Sequence, residues 1–181
     1  MEIATKKDGI IKYDENNNGI YYKCSNGLEV WSEYDKNNNE IHCKCSNGLE
    51  IWQEFDKNNN IIHYKGSDGE EVWYKYDENN NVIYKKNSNG LEFWREFDDN
   101  NNTIHGKNPD GLEFWCKYDK NNNVIYYEDS EKDKEWFEYD KNNNKIHHKH
   151  SNGFEEWYKY NKKGKQIKIT KEKFNHIKQM P

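Results

Sequence analysis

The stretch FDKNNNIIHYK, residues 55 to 65, returns 21 residues later as YDENNNVIYKK, residues 76 to 86. Between the copies His63 becomes Tyr84, and nine places before each of them Glu54 becomes Lys75. The exchange holds along the chain. Glu33, Glu54, Glu96 and Glu138 are followed nine residues later by His42, His63, His105 and His147. Lys12, Lys75 and Lys117 are followed instead by Tyr21, Tyr84 and Tyr126. Contact across the Asn-rich loop of an antiparallel hairpin explains the correlation: a carboxylate suits an imidazole, and an ammonium suits an aromatic face. Copying of repeat pairs is the competing explanation.

Working outward, the period covers most of the chain. Trp31, Trp52, Trp73, Trp94, Trp115, Trp136 and Trp157 are each 21 residues apart and are all seven tryptophans. An aromatic-Asp or aromatic-Asn pair keeps the same step from Tyr13-Asp14 to Tyr160-Asn161. Each unit has two turn signals, an Asn run and a Ser-Asn-Gly group, because Asn and Gly tolerate positive φ. Between them lie runs of Ile, Val, Tyr, Trp and His of strand length, which gives two strands per repeat.

A second correlation spans the Ser-Asn-Gly turn. Lys23, Lys44, Lys65, Lys86, Lys107 and Lys149 each precede a Glu by six places, while the sixth repeat reverses the pair as Glu128 and Lys134. Reciprocal charge exchange marks residues opposite one another, so Lys23 faces Glu29 and Tyr22 faces Val30. A β-solenoid would stack these lysines about 4.8 Å apart in one column, whereas a meander inserts a Glu-bearing strand between them. The expected fold is all-β: tandem 21-residue hairpins forming one continuous antiparallel meander sheet, twisted or superhelical. Residues 1–12 form an N-terminal cap hairpin, 13–160 the seven repeats, and 161–181 a C-terminal cap strand and tail. Phe174 and Ile177 are expected in a short turn folded over the last edge.

Composition narrows the function. The 181 residues are 32% hydrophobic, 34% charged and 15% aromatic, so regularly spaced aromatics rather than a deep aliphatic core must hold the fold. The net charge of −5 arises from interspersed acids and bases, which excludes a nucleic-acid groove. No signal peptide or membrane-spanning run is present, so the expected location is cytoplasmic, with export by another route left open. The wealth of Asn, Lys and Ile suits an AT-rich bacterial coding sequence. Cys24, Cys43, Cys45 and Cys116 fall on strands at positions unsuited to bridging, so free thiols are expected.

The aromatic-Asp pairs, the loop two residues later and the mid-repeat Gly resemble the YD repeats, also called RHS repeats. That family has Gly in the loop where this chain has Asn38, Asn59 and Asn80. The resemblance runs from Tyr13 to Tyr160 and implies a spiralling β-hairpin sheet. Long members form shells around toxins or act as surface modules. The self-cleavage motif and variable toxin tail of the large members are not apparent here.

The sequence offers no catalytic constellation, since each regular carboxylate recurs in copies and already has a partner. An enzyme is therefore not expected, and neither is a cofactor. DKNNN spaces Asp and Asn as calcium loops do, but counting from Asp35 the sixth and twelfth places hold Glu40 and Ser46 rather than Gly and Glu. His147, His148 and His150 lack a third ligand on one face, so no metal is expected. One face varies between repeats and carries Tyr22, Tyr64, Tyr74, Arg95, Tyr127, Phe137 and Tyr158. The first functional expectation is protein recognition through that face, in the manner of an immunity or antitoxin protein, by an unidentified protein partner. The alternatives are carbohydrate or cell-envelope binding on the Trp31-to-Trp157 ladder, and a structural segment of a surface or toxin assembly.

Overall fold

The computed structural model describes residues 3–6 and 9–179, the first ten positions by their backbone alone. The chain divides into two compact units, residues 1–93 and 94–181. In the first, β1 (Ile3–Lys6), β2 (Gly9–Tyr13), β3 (Gly19–Cys24), β4 (Glu29–Tyr34), β5 (Glu40–Cys45), β6 (Glu50–Phe55), β7 (Ile61–Gly66), β8 (Glu71–Tyr76) and β9 (Val82–Asn87) follow in order. Each pairs antiparallel with the next, an open meander. The second unit continues the plan through β10 (Glu92–Phe97), β11 (Thr103–Lys107), β12 (Glu113–Tyr118), β13 (Val124–Asp129), β14 (Lys134–Tyr139), β15 (Lys145–His150), β16 (Glu155–Tyr160) and β17 (Gln166–Ile169). The architecture is thus the expected all-β array of tandem hairpins. The turn of the N-terminal cap hairpin, positions 7 and 8, and the last two residues of the tail lie outside the described residues.

Both turns are the same device. In the Asn loop, Asn38 N–H donates to Asp35 O at 3.0 Å and Asp35 N–H to Asn39 O at 2.9 Å. Asn38 takes φ +66°, the left-handed conformation that Asn tolerates and that lets a type I turn close a hairpin. The Asp of the aromatic-Asp pair then caps the loop, its Oδ1 accepting from Asn37 and Asn39 N–H at 2.8 and 2.9 Å. At the Ser-Asn-Gly turn the left-handed place falls to Gly27, at φ +89°. Lys23 stands opposite Glu29 and Tyr22 opposite Val30, the register that the charge exchange requires. Asn161 and Gly164 rebuild the first device in the last hairpin, with Gly164 at φ +74°.

Consecutive repeats are latched along both margins of the sheet. On one, Asn39 Nδ2 donates to Asn59 Oδ1 at 2.9 Å, and Asn60 to Asn80, Asn102 to Asn122 and Asn123 to Asn143 repeat the bond. On the other, Ser46 N–H donates to Glu29 O at 2.8 Å while Glu29 N–H donates to Ser46 Oγ at 3.0 Å. Ser67 with Glu50, Ser130 with Glu113 and Ser151 with Lys134 do the same. Pro109 occupies the serine position in the fifth repeat and has no N–H to donate. The tyrosines of the aromatic-Asp pairs add a third tie, Tyr76 Oη donating to Ile61 O at 2.8 Å and Tyr118 Oη to Thr103 O at 2.9 Å.

Little of this is a conventional core. Val72 and Phe174 are the buried hydrophobics among the described residues. The expected turn at Phe174 and Ile177 is instead a helix, α1 (Lys171–Lys178), capped by Thr170, whose hydroxyl accepts from Lys173 N–H. It lies on a face rather than over an edge, because Phe174 finds an aromatic platform there in the His147 ring.

Candidate functional site

Strand alternation separates two faces. The constant face carries His, Trp and paired charges. Each histidine there bridges two strands. His63 Nδ1 lies 3.3 Å from Glu54 and its Nε2 2.9 Å from Glu71, while His147 lies 3.1 Å from Glu138 and 2.9 Å from Glu155. His42 and His105 repeat the bridge with Glu33 and Glu50, and with Glu96 and Glu113. The Glu–His pairing across the Asn loop is present as read, yet the shorter contact goes to the second Glu, across the other turn. Each ring also stacks on the tryptophan beside it, from 4.7 Å for His105 on Trp115 to 5.5 Å for His147 on Trp157. The hydrogen bond from His42 holds the Glu50 carboxyl below its ordinary value against the opposing effect of desolvation.

Where the pair is Lys and Tyr, the ammonium sits over the ring: Lys12 is 5.0 Å from the Tyr21 centroid, Lys75 5.3 Å from Tyr84 and Lys117 5.4 Å from Tyr126. The charge pairs also follow the sequence. Lys23 meets Glu29, Lys86 meets Glu92 at 2.5 Å, and the reversed pair Lys134–Glu128 closes at 2.9 Å.

The variable face holds all seven candidate recognition residues, each half-buried. Several pack on their cross-strand partners. Tyr74 opposes Lys85, whose ammonium lies 5.6 Å from its ring, and Phe137 stacks on His148 at 4.8 Å. Tyr158 donates to Glu156, which also pairs with Lys168. Arg95 Cζ lies 5.0 Å from the Phe114 ring centroid, and its guanidinium donates to Lys107 O at 2.9 Å and Asn108 Oδ1 at 2.7 Å. It covers Gly106, where an added Cβ would fall 2.7 Å from Arg95 Cδ. Tyr64 opposes Gln53 and Val72, Tyr22 opposes Ile11 and Val30, and Tyr127 opposes Cys116.

The tryptophan ladder is the more exposed set, with Trp31, Trp52, Trp73, Trp115 and Trp136 between 36 and 41% accessible. A shallow concavity of about 340 Å³ opens between Trp52, Glu54, His63 and Lys65. His147 and His148 fall on opposite faces, as alternation requires; His148 pairs with Glu135 at 2.6 Å. No helix among the described residues is long and apolar enough to cross a membrane.

Sequence reasoning found the cross-strand pairs but not the serine and asparagine latches or the second Glu on each His. The available signal was the invariance of the third Asn and the near-constancy of the turn serine, broken at Pro109, which turn geometry alone does not demand.

Solved structures share this architecture. The Photorhabdus luminescens Tc holotoxin pore, in a mutant form of TccC3, matches 88% of this chain with a TM-score of 0.61 and 13% identity. TcdB2–TccC3 without its hypervariable C-terminal region matches 88% at 0.63 and 13% identity, and TcdB2–TccC3–Cdc42 matches 88% at 0.62 and 13%. Each match occupies 10% of the toxin chain. At this identity the likeness is one of fold. No protein-family model and no curated protein matches the chain.

Proposed function

We propose that this chain is a YD-type, or RHS-type, hairpin-repeat scaffold that works without catalysis as a structural segment of a larger protein assembly. The single observation carrying the reading is the fold match that spans 88% of this chain yet 10% of a Tc toxin chain. Long members of the YD-repeat family that the sequence resembles form shells, and a segment of this design would be a stretch of such a wall. The side chains support the same reading: the carboxylates, imidazoles and amides that an active site would use are instead spent, repeat after repeat, on joining strand to strand. In such a wall one face lies against protein. We assign that contact to the variable face bearing Tyr22, Tyr64, Tyr74, Arg95, Tyr127, Phe137 and Tyr158, since those positions vary most widely in residue type from one repeat to another.

Affinity capture of the intact chain from its source cells, compared with a Tyr64→Ala, Tyr74→Ala variant of unchanged circular dichroism, tests this reading. A protein component retained in stoichiometric amount by the intact chain and lost from the variant is the expected result. An empty capture, or retention competed away by free sugars, contradicts it.

A further inference from the structure

We infer that the tryptophan face of the first unit is a docking surface for a basic amphipathic helix of another polypeptide, with the pattern Lys-x-x-Phe-x-x-x-Lys. The inference goes beyond the scaffold reading and rests on a template within the chain. Helix α1 presents Lys171, Phe174 and Lys178 in that pattern to the constant face of β14 to β16. Phe174 is 6% exposed, its ring 5.8 Å from that of His147. Lys171 approaches Glu155 at 3.7 Å and lies 5.5 Å from the Trp157 centroid, and Lys178 pairs with Glu138. Four residues of the sheet therefore receive the helix: Glu138, His147, Glu155 and Trp157.

Four repeats earlier the chain carries Glu54, His63, Glu71 and Trp73 at the same spacing. Their geometry matches. His63 lies 3.3 and 2.9 Å from its two carboxylates and stacks on Trp73 at 5.3 Å and 11°; His147 lies 3.1 and 2.9 Å from its pair and stacks on Trp157 at 5.5 Å and 11°. What differs is cover. The Glu54 side chain is 69% exposed against 44% for Glu138, and the concavity beside Trp52 and His63 is open.

Charge selects the occupant. Two carboxylates flank the aromatic platform beside the His63 nitrogens they already contact, so a phenylalanine with a lysine one turn to either side adds an ammonium to each, as Lys171 and Lys178 do at Glu155 and Glu138, whereas an acidic helix is repelled by both. The Lys75–Tyr84 repeat places an ammonium where Glu54 stands and repels the same helix. The alternation of Glu–His and Lys–Tyr units thereby becomes a selection rule. A second cradle with the same residue types, Glu33, His42, Glu50 and Trp52, adjoins the first.

The probe is a helix-stapled peptide of residues 170–179, titrated into the intact chain by calorimetry, with a photocrosslinker replacing Phe174 in a parallel sample. Expected are saturable binding, crosslinks on β7 and β8, and a loss of affinity of about tenfold or more with Phe174→Ala in the peptide or with Glu54→Gln and Glu71→Gln in the chain. Crosslinking on the unmodified chain keeps the test valid if those variants misfold. Absence of saturable binding overturns the inference. So do crosslinks confined to β14–β16, which signify exchange with the resident helix. Self-association of the intact chain abolished by Phe174→Ala, without peptide binding, makes the occupant a second copy and equally overturns it.

Discussion

Asn39 donates its side-chain amide to Asn59, the left-handed residue of the next Asn loop, at 2.9 Å, while the same amide caps Asp35 at 3.0 Å. One side chain thus closes its own turn and holds the next repeat at a fixed separation. The invariant third Asn is a structural joint, and the sheet is built from such joints rather than from a buried core.

Replacing Asn39 with Ala removes both bonds and leaves a half-buried carboxylate short of a donor. The expected loss is about 1–2 kcal/mol, read from urea denaturation, with hydrogen exchange accelerated chiefly in the flanking hairpins because each repeat leans on its neighbours. Asn38→Gly keeps the left-handed turn and both Asn39 bonds but deletes the Oδ1 that accepts from Asn18 Nδ2 at 2.9 Å, so it should cost about 0.5–1.5 kcal/mol, less than Asn39→Ala.

Tyrosine and phenylalanine share the aromatic position of the repeat, and only tyrosine can reach back to the preceding hairpin. Tyr76→Phe deletes the bond to Ile61 O and should cost about 0.5–1.5 kcal/mol. Phe55→Tyr places a hydroxyl at the equivalent point and should return a similar gain, measured as a shift of the urea midpoint in the opposite direction.

The sixth repeat has Lys132, at φ +73°, where each of the other six has Gly. An L-residue in that conformation is strained by about 1–2 kcal/mol. Lys132→Gly is therefore expected to raise the thermal midpoint, and Lys132→Val, β-branched and less tolerant of positive φ, to lower it.

The side-chain amide of the third Asn, seconded by its backbone N–H, holds the carboxyls of Asp35, Asp98 and Asp119 below their ordinary value of 3.8. Because the folded pKa lies below the unfolded one, this stabilisation is complete above the unfolded value and is lost as pH falls through the folded one. Unfolding midpoints should therefore fall progressively below about pH 4. Asp35→Asn, which preserves the acceptor as Asn161 does in the last loop, should shallow that acid slope.

Much of the fold was legible because opposed residues covary. The Glu128–Lys134 exchange fixes one hairpin register, and the Glu–His and Lys–Tyr exchanges fix the other. Contacts without covariation were invisible to the same reasoning: Asn39 and Asn59 occupy positions that are constant through the seven repeats, and Ser46 bonds to a backbone carbonyl, which is indifferent to the side chain it carries. Helix α1 was missed for a different reason. Its eight residues carry one buried side chain, and its place is set by His147 and Trp157 rather than by its own pattern. The packing of Arg95 over Gly106 was not legible either, because it requires knowing which residues oppose each other.

The central claim, that repeats are latched into a continuous scaffold, is tested most directly by native-state hydrogen exchange of the turn-serine amides. Ser46, Ser67, Ser130 and Ser151 sit at exposed turns, yet each N–H donates to the backbone carbonyl of the residue 17 places earlier at 2.7 or 2.8 Å. Protection comparable to the adjoining strand amides is the expected result. Exchange at the rate of an unstructured loop would contradict it, because the hairpins would then be tethered by their ladders alone.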